Sequence, residues 1–380
     1  MAAGTVSIYL LLATFTWAFI SRSRERPLAR VLTFDAHGHI RHYLFLLGAS
    51  ALFTFNSVAG LIDIPQDLAS LMRPFVSGLA LISVFLLAYN LGRGNLTSWQ
   101  GRAFLVLLSL LTVANCLSLL LIASFTCLAS ALAGYWLSAR RLPVLGVVAV
   151  CLFLTVLQAG KYEMRETYLD EGYLTVRPLQ YPAYLAEWTF AGFRRLLGVG
   201  AAGSGDGGSS EIGLLERASL AHMLLKVETE TPSPVPYLGG DTYVDIPELM
   251  LPRFLFPEKV TGRAAMQRLS AHFGLLTLDI MERTSIAWGL LPEAYANFGV
   301  FGAVLMALVV GTFFGLLARS SWGYSVFSMR SIVSIMVMVC IFGIESHAAA
   351  AVTTIFQSLV AVVVASALFA RKQPNLGSEF

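Results

Sequence analysis

The chain has little charge, and its basic residues are not gathered into one patch. Only 13% of its 380 residues are charged, whereas soluble domains carry roughly 25%. Its mean hydropathy is +0.70, and 56% of its residues are apolar. This shortage of charge excludes an ordinary soluble domain. The net charge of +3 does not indicate nucleic-acid binding, because the basic residues mark the ends of apolar segments.

The chain also has few cysteines, which excludes a disulfide-stabilised protein. Each of the four lies inside an apolar run; they are Cys116, Cys127, Cys151 and Cys340. None lies in the long polar segment where an oxidising compartment would pair them, so we expect no disulfide framework. The spacing of Cys and His residues matches no zinc motif, so we expect no structural metal site.

What the sequence has in abundance is apolar runs close to the length that crosses a bilayer. We predict nine membrane spans, at about 5–20, 42–63, 72–92, 103–119, 121–137, 143–159, 296–318, 331–346 and 349–370. The predicted fold class is an all-α polytopic membrane protein with about nine transmembrane helices and one large, partly helical extracytoplasmic loop.

The positions of Lys and Arg predict the orientation of these spans. Fourteen of the 26 basic residues lie outside residues 160–295, and thirteen of the fourteen fall on one side of the predicted membrane. Because basic residues collect on the cytoplasmic side, we predict an N-terminus outside and a C-terminus inside. Residues 1–159 then form a membrane region of about six helices, 160–295 a large periplasmic loop, and 296–380 a membrane region of about three helices with a short cytoplasmic tail.

One apolar stretch, residues 103–137, is too long for a single span. It has 35 residues, whereas about 20 cross the core of a bilayer. A single tilted helix would place Arg140 and Arg141 outside, against the charge rule. We therefore predict a hairpin of two helices that returns both arginines to the cytoplasm.

The large loop has several distinct segments. Residues 181–197 form an amphipathic stretch, in which Tyr184, Trp188, Phe190 and Phe193 are expected to lie at the lipid interface. The Gly/Ser-rich residues 200–210 predict a flexible break. Residues 211–228 then fit a helix.

Four stretches in the second half resemble the oligosaccharide repeat-unit polymerases, the Wzy-type enzymes of the O-antigen polymerase and ligase superfamily. The more specific two are a Pro-Arg pair followed by Pro-x-Lys and a Glu-x-Tyr-x-Asn-Phe-Gly run. In chain order the four are Glu216–Ser219; Thr231–Tyr237 with Gly239–Tyr243; Pro252-Arg253 with Pro257–Lys259; and Pro292–Tyr295 with Asn297–Gly299 and Gly302. Lys259 is followed by Val260, where this family usually has proline.

The resemblance implies a GT-C-like membrane glycosyltransferase in the bacterial cytoplasmic (inner) membrane. Such an enzyme takes a growing glycan from polyprenyl pyrophosphate and transfers it to the next lipid-linked repeat unit on the outer face, in O-antigen, capsule or exopolysaccharide synthesis. Its implied partners are these lipid-linked oligosaccharides, membrane lipids, and the flippase and chain-length or export proteins of the same pathway. No cofactor, metal or nucleic acid is implied.

A lipid pyrophosphate leaving group requires cations near the membrane surface. Arginine is suited to this role because its guanidinium binds phosphate oxygens bidentately and stays charged, and cations there can replace a metal ion. The candidate pyrophosphate-binding residues are Arg217, Arg253, Lys259, Arg73 and Arg165. Their alternative roles are solvated charges, ion pairs within the loop or, for Arg73, an arginine that reaches toward lipid headgroups.

The acceptor sugar hydroxyl has a proton to lose, so a general base is a second requirement. Glu293 is one candidate, with Tyr295 and Asn297 expected beside it to bind substrate. Glu345 and His347 form another candidate pair at the outer end of the eighth predicted span. The alternative for Glu293 is a carboxylate at a helix N-terminus; the alternative for the pair is a location at the membrane interface.

Three other functions remain open from the sequence. A ligase of the same superfamily would hand the glycan to a different acceptor, and no residue separates it from a polymerase. A transporter or lipid-linked sugar flippase is less well matched, because the predicted spans carry few ionisable residues near the membrane midplane. A structural member of an export complex would use the loop as a docking surface.

Overall fold

The computed structural model describes residues 2–23, 28–35, 38–119, 121–170, 173–174, 176–197, 221–251, 256, 259–275, 286–341 and 347–374. The chain divides into two compact units: Met1–Phe34 with Ser209–Phe380, and Asp35–Gly208. In chain order the elements are α1 (Ala2–Arg22), β1 (Arg30–Phe34), α2 (Ile40–Ala59), α3 (Gln66–Gly92), α4 (Ser98–Leu117), α5 (Leu121–Ala139), α6 (Val144–Tyr168), β2 (Leu169–Asp170), β3 (Tyr173–Leu174), a 3₁₀ turn (Pro178–Gln180), α7 (Tyr181–Leu196), α8 (Ala221–Glu230), α9 (Ile246–Met250), α10 (Ala264–His272), α11 (Leu290–Ser321), α12 (Met329–Ile341), α13 (Ala348–Phe369) and β4 (Ala370–Pro374).

The protein is an all-α polytopic membrane protein. Within the described residues, eight helices are long and apolar enough to cross a bilayer: α1 to α6, α11 and α13. The helix in the predicted eighth span, α12, has 13 residues, which is shorter than a bilayer crossing requires. The count of nine spans therefore stays a prediction.

The 103–137 stretch forms two helices, as the hairpin prediction requires. The break follows α4, where Leu119 takes a φ of 57°. The Ser124 hydroxyl on α5 donates to the Thr112 carbonyl on α4 at 3.0 Å. Farther along, α5 runs parallel to α3: Ser130 donates to the Leu81 carbonyl at 3.1 Å, and Gly134 lies against the Phe85 carbonyl. For a chain that crosses the bilayer in α3, α4 and α5 in turn, the shared direction of α3 and α5 requires α4 to cross in the opposite direction.

In the first unit, α1 and α11 pack together in parallel. Gly311 lies on the carbonyl of Ala13, and a Cβ at this position would come within 2.5 Å of that oxygen. Four residues later, a Cβ on Gly315 would meet Ile20 at 2.8 Å. The Gly-x-x-x-Gly spacing thus allows two helix backbones of one chain to approach closely.

A two-stranded antiparallel sheet joins the end of α1 to the end of α13. β1 pairs with β4, with Leu32 opposite Lys372. The sheet places the C-terminal ends of α1 and α13 at the same end of the unit, which is the relation that the predicted topology requires. Which side of the membrane this end faces stays a prediction.

The predicted interfacial helix forms as α7, but its aromatic residues divide between two environments. Trp188 is fully buried, and its Nε1 donates to the Leu157 carbonyl of α6 at 2.7 Å. Tyr184 is buried beside it, so these two aromatic residues pack against α6, and the interfacial position of the helix stays a prediction. Phe190 and Phe193 are exposed. Residues 200–210 and the first ten residues of the predicted 211–228 helix lie outside the described residues.

Candidate functional site

The site begins at a kink in α11. Phe298 (φ −140°, ψ 16°) and Gly299 (φ 61°, ψ −144°) leave the helical conformation and separate residues 290–297 from the long apolar part. Glycine is required at 299 for two reasons. Side chains rarely adopt this backbone conformation, and a Cβ there would come within 2.7 Å of the Tyr237 hydroxyl.

The loop around Gly239 satisfies the carbonyls exposed at this kink. The last carbonyls of a helix lack partners within the helix. Here the N–H of Leu238 donates to the Ala296 carbonyl at 3.1 Å, and the N–H of Gly239 donates to the Asn297 carbonyl at 3.1 Å. Two stretches that are more than fifty residues apart in the sequence therefore form one hydrogen-bonded unit.

Asn297 fastens the same two stretches through its side chain, which is fully buried. Its Oδ1 accepts the N–H of Gly240 at 2.9 Å. Its Nδ2 donates to the Thr242 hydroxyl at 2.9 Å and to the Glu293 carbonyl at 2.8 Å. Both amide hydrogens are therefore used within the protein. Asn297 positions the Gly240–Thr242 turn, and its predicted contact with substrate stays a prediction.

Glu293 is the central acidic group of this site and is fully buried. Its Oε2 accepts the backbone N–H of Ala348, the first residue of α13. The Thr242 hydroxyl lies beside the carboxyl. Oε1 has no partner of acceptable hydrogen-bond geometry within the part of the chain that the structure describes. Oε2 thus satisfies the start of α13, and Oε1 is buried within the protein.

His347 adjoins Glu293 through the start of α13. It is 8% exposed, and its Nε2 donates to the Gly262 carbonyl at 3.0 Å. Burial lowers the pKa of His347, and the hydrogen bond to Gly262 partly opposes this effect. The ring is therefore predominantly neutral at pH 7. The structure brings together two of the three predicted catalytic residues; the third, Glu345, lies outside the described residues.

Tyr243 and Phe298 cover the seam between the loop and the kink. Their rings stack with centroids 6.4 Å apart and planes 17° from parallel. Burial raises the pKa of Tyr243, and the charge of Glu293 raises it further. The nearby Asn297 amide partly opposes both effects. Tyr243 therefore stays protonated at any physiological pH.

Lys259 has a structural role in the first unit. Its Nζ donates to the carbonyls of Leu249 at 3.1 Å and Leu251 at 2.6 Å, at the end of α9. Its predicted contact with pyrophosphate stays a prediction, as do those of Arg217 and Arg253, which lie outside the described residues.

The other predicted binding residues lie in a core beside the loop or in the second unit. Tyr295 packs in a core with Ala2 and Trp288. Arg73 is an exposed residue of α3, and Arg165 is half-buried on α6; both helices belong to the second unit.

Sequence reasoning missed two residues of this site, Thr242 and Arg268. Arg268 donates to the Asp241 carbonyl at 2.8 Å and forms a 3.0 Å ion pair with Asp245, so it holds both ends of the turn that carries Thr242. No local pattern marks Arg268, because its partners precede it by more than twenty residues and lie on a different element.

Comparison of the chain with protein-family models, with curated proteins and with solved structures gives no match.

Proposed function

We propose that this protein is a polysaccharide polymerase. It transfers a growing glycan from polyprenyl pyrophosphate to the next lipid-linked repeat unit, on the outer face of a bacterial cytoplasmic membrane. One observation supports the proposal above the others. Two of the stretches that carry the family resemblance, Gly239–Tyr243 and Glu293–Gly299, interlock around a buried carboxylate.

In this proposal Glu293 is the general base for the acceptor hydroxyl. Its Oε2 is occupied by the N–H of Ala348, which leaves Oε1 to receive the proton. A fully buried carboxylate cannot reach a sugar, so the Gly239–Tyr243 turn moves aside when the acceptor binds. Burial also suits a base, because removing a carboxylate from water increases its affinity for a proton.

The leaving pyrophosphate is stabilised by cations and requires no metal ion. Arg217 and Arg253 are the first candidates, because the planar guanidinium group binds phosphate oxygens in pairs. Arg73 and Arg165 are further candidates. Lys259 contributes indirectly, by holding the end of α9 through the Leu249 and Leu251 carbonyls.

The deciding experiment measures glycan length in cells that lack this protein. The deletion strain is complemented with wild type, Arg253→Ala or Glu293→Gln, and membrane levels are measured by immunoblot. Glu230→Gln is the matched control, because Glu230 pairs with Lys226 on α8 and takes no part in the site. We expect single carrier-linked repeat units in the deletion strain and in both site variants, and long polymer with wild type and the control.

Other outcomes of this experiment identify other functions. Long polymer in the deletion strain would show that polymerisation belongs to another protein. Long polymer that stays on its lipid carrier would indicate a ligase. Repeat units retained on the cytoplasmic side, inaccessible to a glycosidase added outside, would indicate a transporter.

A further inference from the structure

Three aromatic side chains line the surface of the seam between the loop and the α11 kink. Tyr237 is 40% exposed and Phe298 is 38% exposed, while Tyr243 is half-buried beneath Phe298. We call these three residues the aromatic platform. Large aromatic rings that stay exposed beside polar groups are typical of binding surfaces.

The platform is held by reciprocal packing of aromatic residues on glycines. The Phe298 ring lies on Gly240, where a Cβ would meet it at 3.1 Å. The Tyr237 hydroxyl lies over Gly299, where a Cβ would meet it at 2.7 Å. Each stretch thus provides a ring that covers the glycine of the other. This packing holds the Tyr237 and Phe298 rings against the opposite stretch in the conformation that the structure shows.

The surroundings of the platform indicate water or headgroups and not lipid tails. The turn beside it, residues 237–245, is irregular. Gly239 is exposed there, and the Asp241 side chain is 55% exposed. Irregular backbone and charged groups do not face the hydrocarbon of a bilayer. The exposure of Tyr237 and Phe298 therefore differs in kind from that of Phe301, which is 69% exposed on the long apolar part of α11.

We infer that the aromatic platform binds one pyranose ring of the acceptor glycan; this inference rests on the proposed function. The C–H face of a sugar ring carries a partial positive charge, and the face of an aromatic ring is negative. The sugar hydroxyls around the ring edge need acceptors, and the Asp241 carboxylate on the same turn is 55% exposed, with Arg268 3.8 Å away on one side. An apolar face with a carboxylate at its margin matches a sugar better than it matches an acyl chain.

The location of the platform links it to the proposed base. Thr242, which lies beside the Glu293 carboxyl, is the residue between Asp241 and Tyr243. A sugar bound on the platform therefore contacts the turn that covers Glu293. Movement of this turn on sugar binding would open the path from the acceptor hydroxyl to Oε1.

The test measures binding of a defined glycan to the full-length protein in nanodiscs. The probe is a set of short oligosaccharides prepared by partial acid hydrolysis of the polysaccharide that the parent strain makes. Saturation-transfer NMR identifies the sugar protons in contact, and a titration gives the Kd. We expect Phe298→Leu and Tyr237→Leu to weaken binding about tenfold, the order expected for loss of an aromatic contact.

Three matched variants separate stacking from a structural effect. Phe298→Trp and Tyr237→Phe keep an aromatic ring and are expected to bind within about threefold of wild type. Phe301→Leu removes an exposed ring three residues from Phe298 and is expected to leave the Kd unchanged. Thermal unfolding of each variant shows whether it folds, and Tyr237→Leu provides a second test if Phe298→Leu does not.

The inference is overturned if wild type does not bind the oligosaccharides, if both Leu variants bind as wild type does, or if Phe301→Leu weakens binding equally. Its failure is distinguishable from failure of the proposed function. Unchanged binding in the Leu variants, with polymer lost in the deletion strain, overturns the platform alone. Long polymer in the deletion strain overturns the proposed function, whatever the binding data show.

Discussion

The carboxylate of Glu293 accepts the backbone N–H of Ala348, so a side chain of α11 satisfies the N-terminus of α13. The first N–H groups of a helix have no partners within the helix, and a negative charge there is also favoured by the helix dipole. The sequence-based alternative for Glu293, a carboxylate at a helix start, is therefore present in the structure, because Glu293 lies in the first turn of α11 and also accepts from the first residue of α13. The structural role and the proposed catalytic role belong to different oxygens of the same carboxylate.

Two substitutions at Glu293 separate these roles. Glu293→Gln keeps an oxygen that accepts the Ala348 N–H, so we expect near-normal stability but a transfer rate lower by about 10²-fold, since an amide cannot take a proton. Glu293→Ala leaves the N–H unpaired and should also lower the free energy of unfolding by about 1–3 kcal/mol. Thermal unfolding in detergent and a transfer assay measure both effects. Full activity of the Gln variant would remove Glu293 from the chemistry.

Gly299→Ala is expected to destabilise the seam. The residue has a φ of 61°, and a Cβ would come within 2.7 Å of the Tyr237 hydroxyl. We expect a loss of about 1–3 kcal/mol in the free energy of unfolding. Gly262→Ala is the control, because Gly262 has no neighbour within 4 Å of the added Cβ. Equal melting temperatures for the two variants would show that the kink tolerates a side chain at position 299.

His347 predicts a dependence of stability on pH. Burial lowers its pKa below the ordinary value of 6.5, so near pH 6 the folded protein binds fewer protons at this site than the unfolded chain. The contribution of neutral His347 to the stability of the folded protein is therefore complete above about pH 6.5. It is lost as the pH falls through the pKa of His347 in the folded state. His347→Gln keeps an N–H donor for Gly262 but does not titrate. We expect its melting temperature to fall less than that of wild type between pH 7 and 5; parallel curves would exclude His347 as the cause.

Arg268→Met tests whether the ion pair with Asp245 supports the Thr242 turn. Asp245 has only 8% of its side chain exposed, so removing its partner leaves a buried charge unpaired. Arg268 is itself one-third exposed, so water partly screens the pair. We therefore expect the free energy of unfolding to fall by about 1–3 kcal/mol, which is less than for a fully buried pair. The control is Lys226→Met, which breaks a pair within one helix and should cost under about 0.5 kcal/mol. Similar losses in the two variants would show that Arg268 acts only at the surface.

Several parts of the fold and site could be predicted from the sequence, because their causes are local. Hydropathy predicted the long membrane helices, since each apolar side chain contributes separately to partition into a bilayer. The charge rule predicted the division of residues 103–137, since Arg140 and Arg141 lie directly after the second half. The motif around Glu293 and Asn297 identified one side of the site. None of these patterns predicted β1 and β4, which pair because two helix ends lie side by side.

The other side of the site was decided by tertiary structure. Thr242 and the N–H of Ala348 meet Glu293 because helix packing brings three distant segments together. No local sequence pattern encodes that meeting. The same holds for Lys259, whose charge is visible in the sequence but whose contacts with the Leu249 and Leu251 carbonyls are not. The sequence by itself determined which segments enter the membrane and which polar residues are available, because these depend on each side chain's own affinity for water. Which of those residues face one another depends on packing between segments distant in the chain.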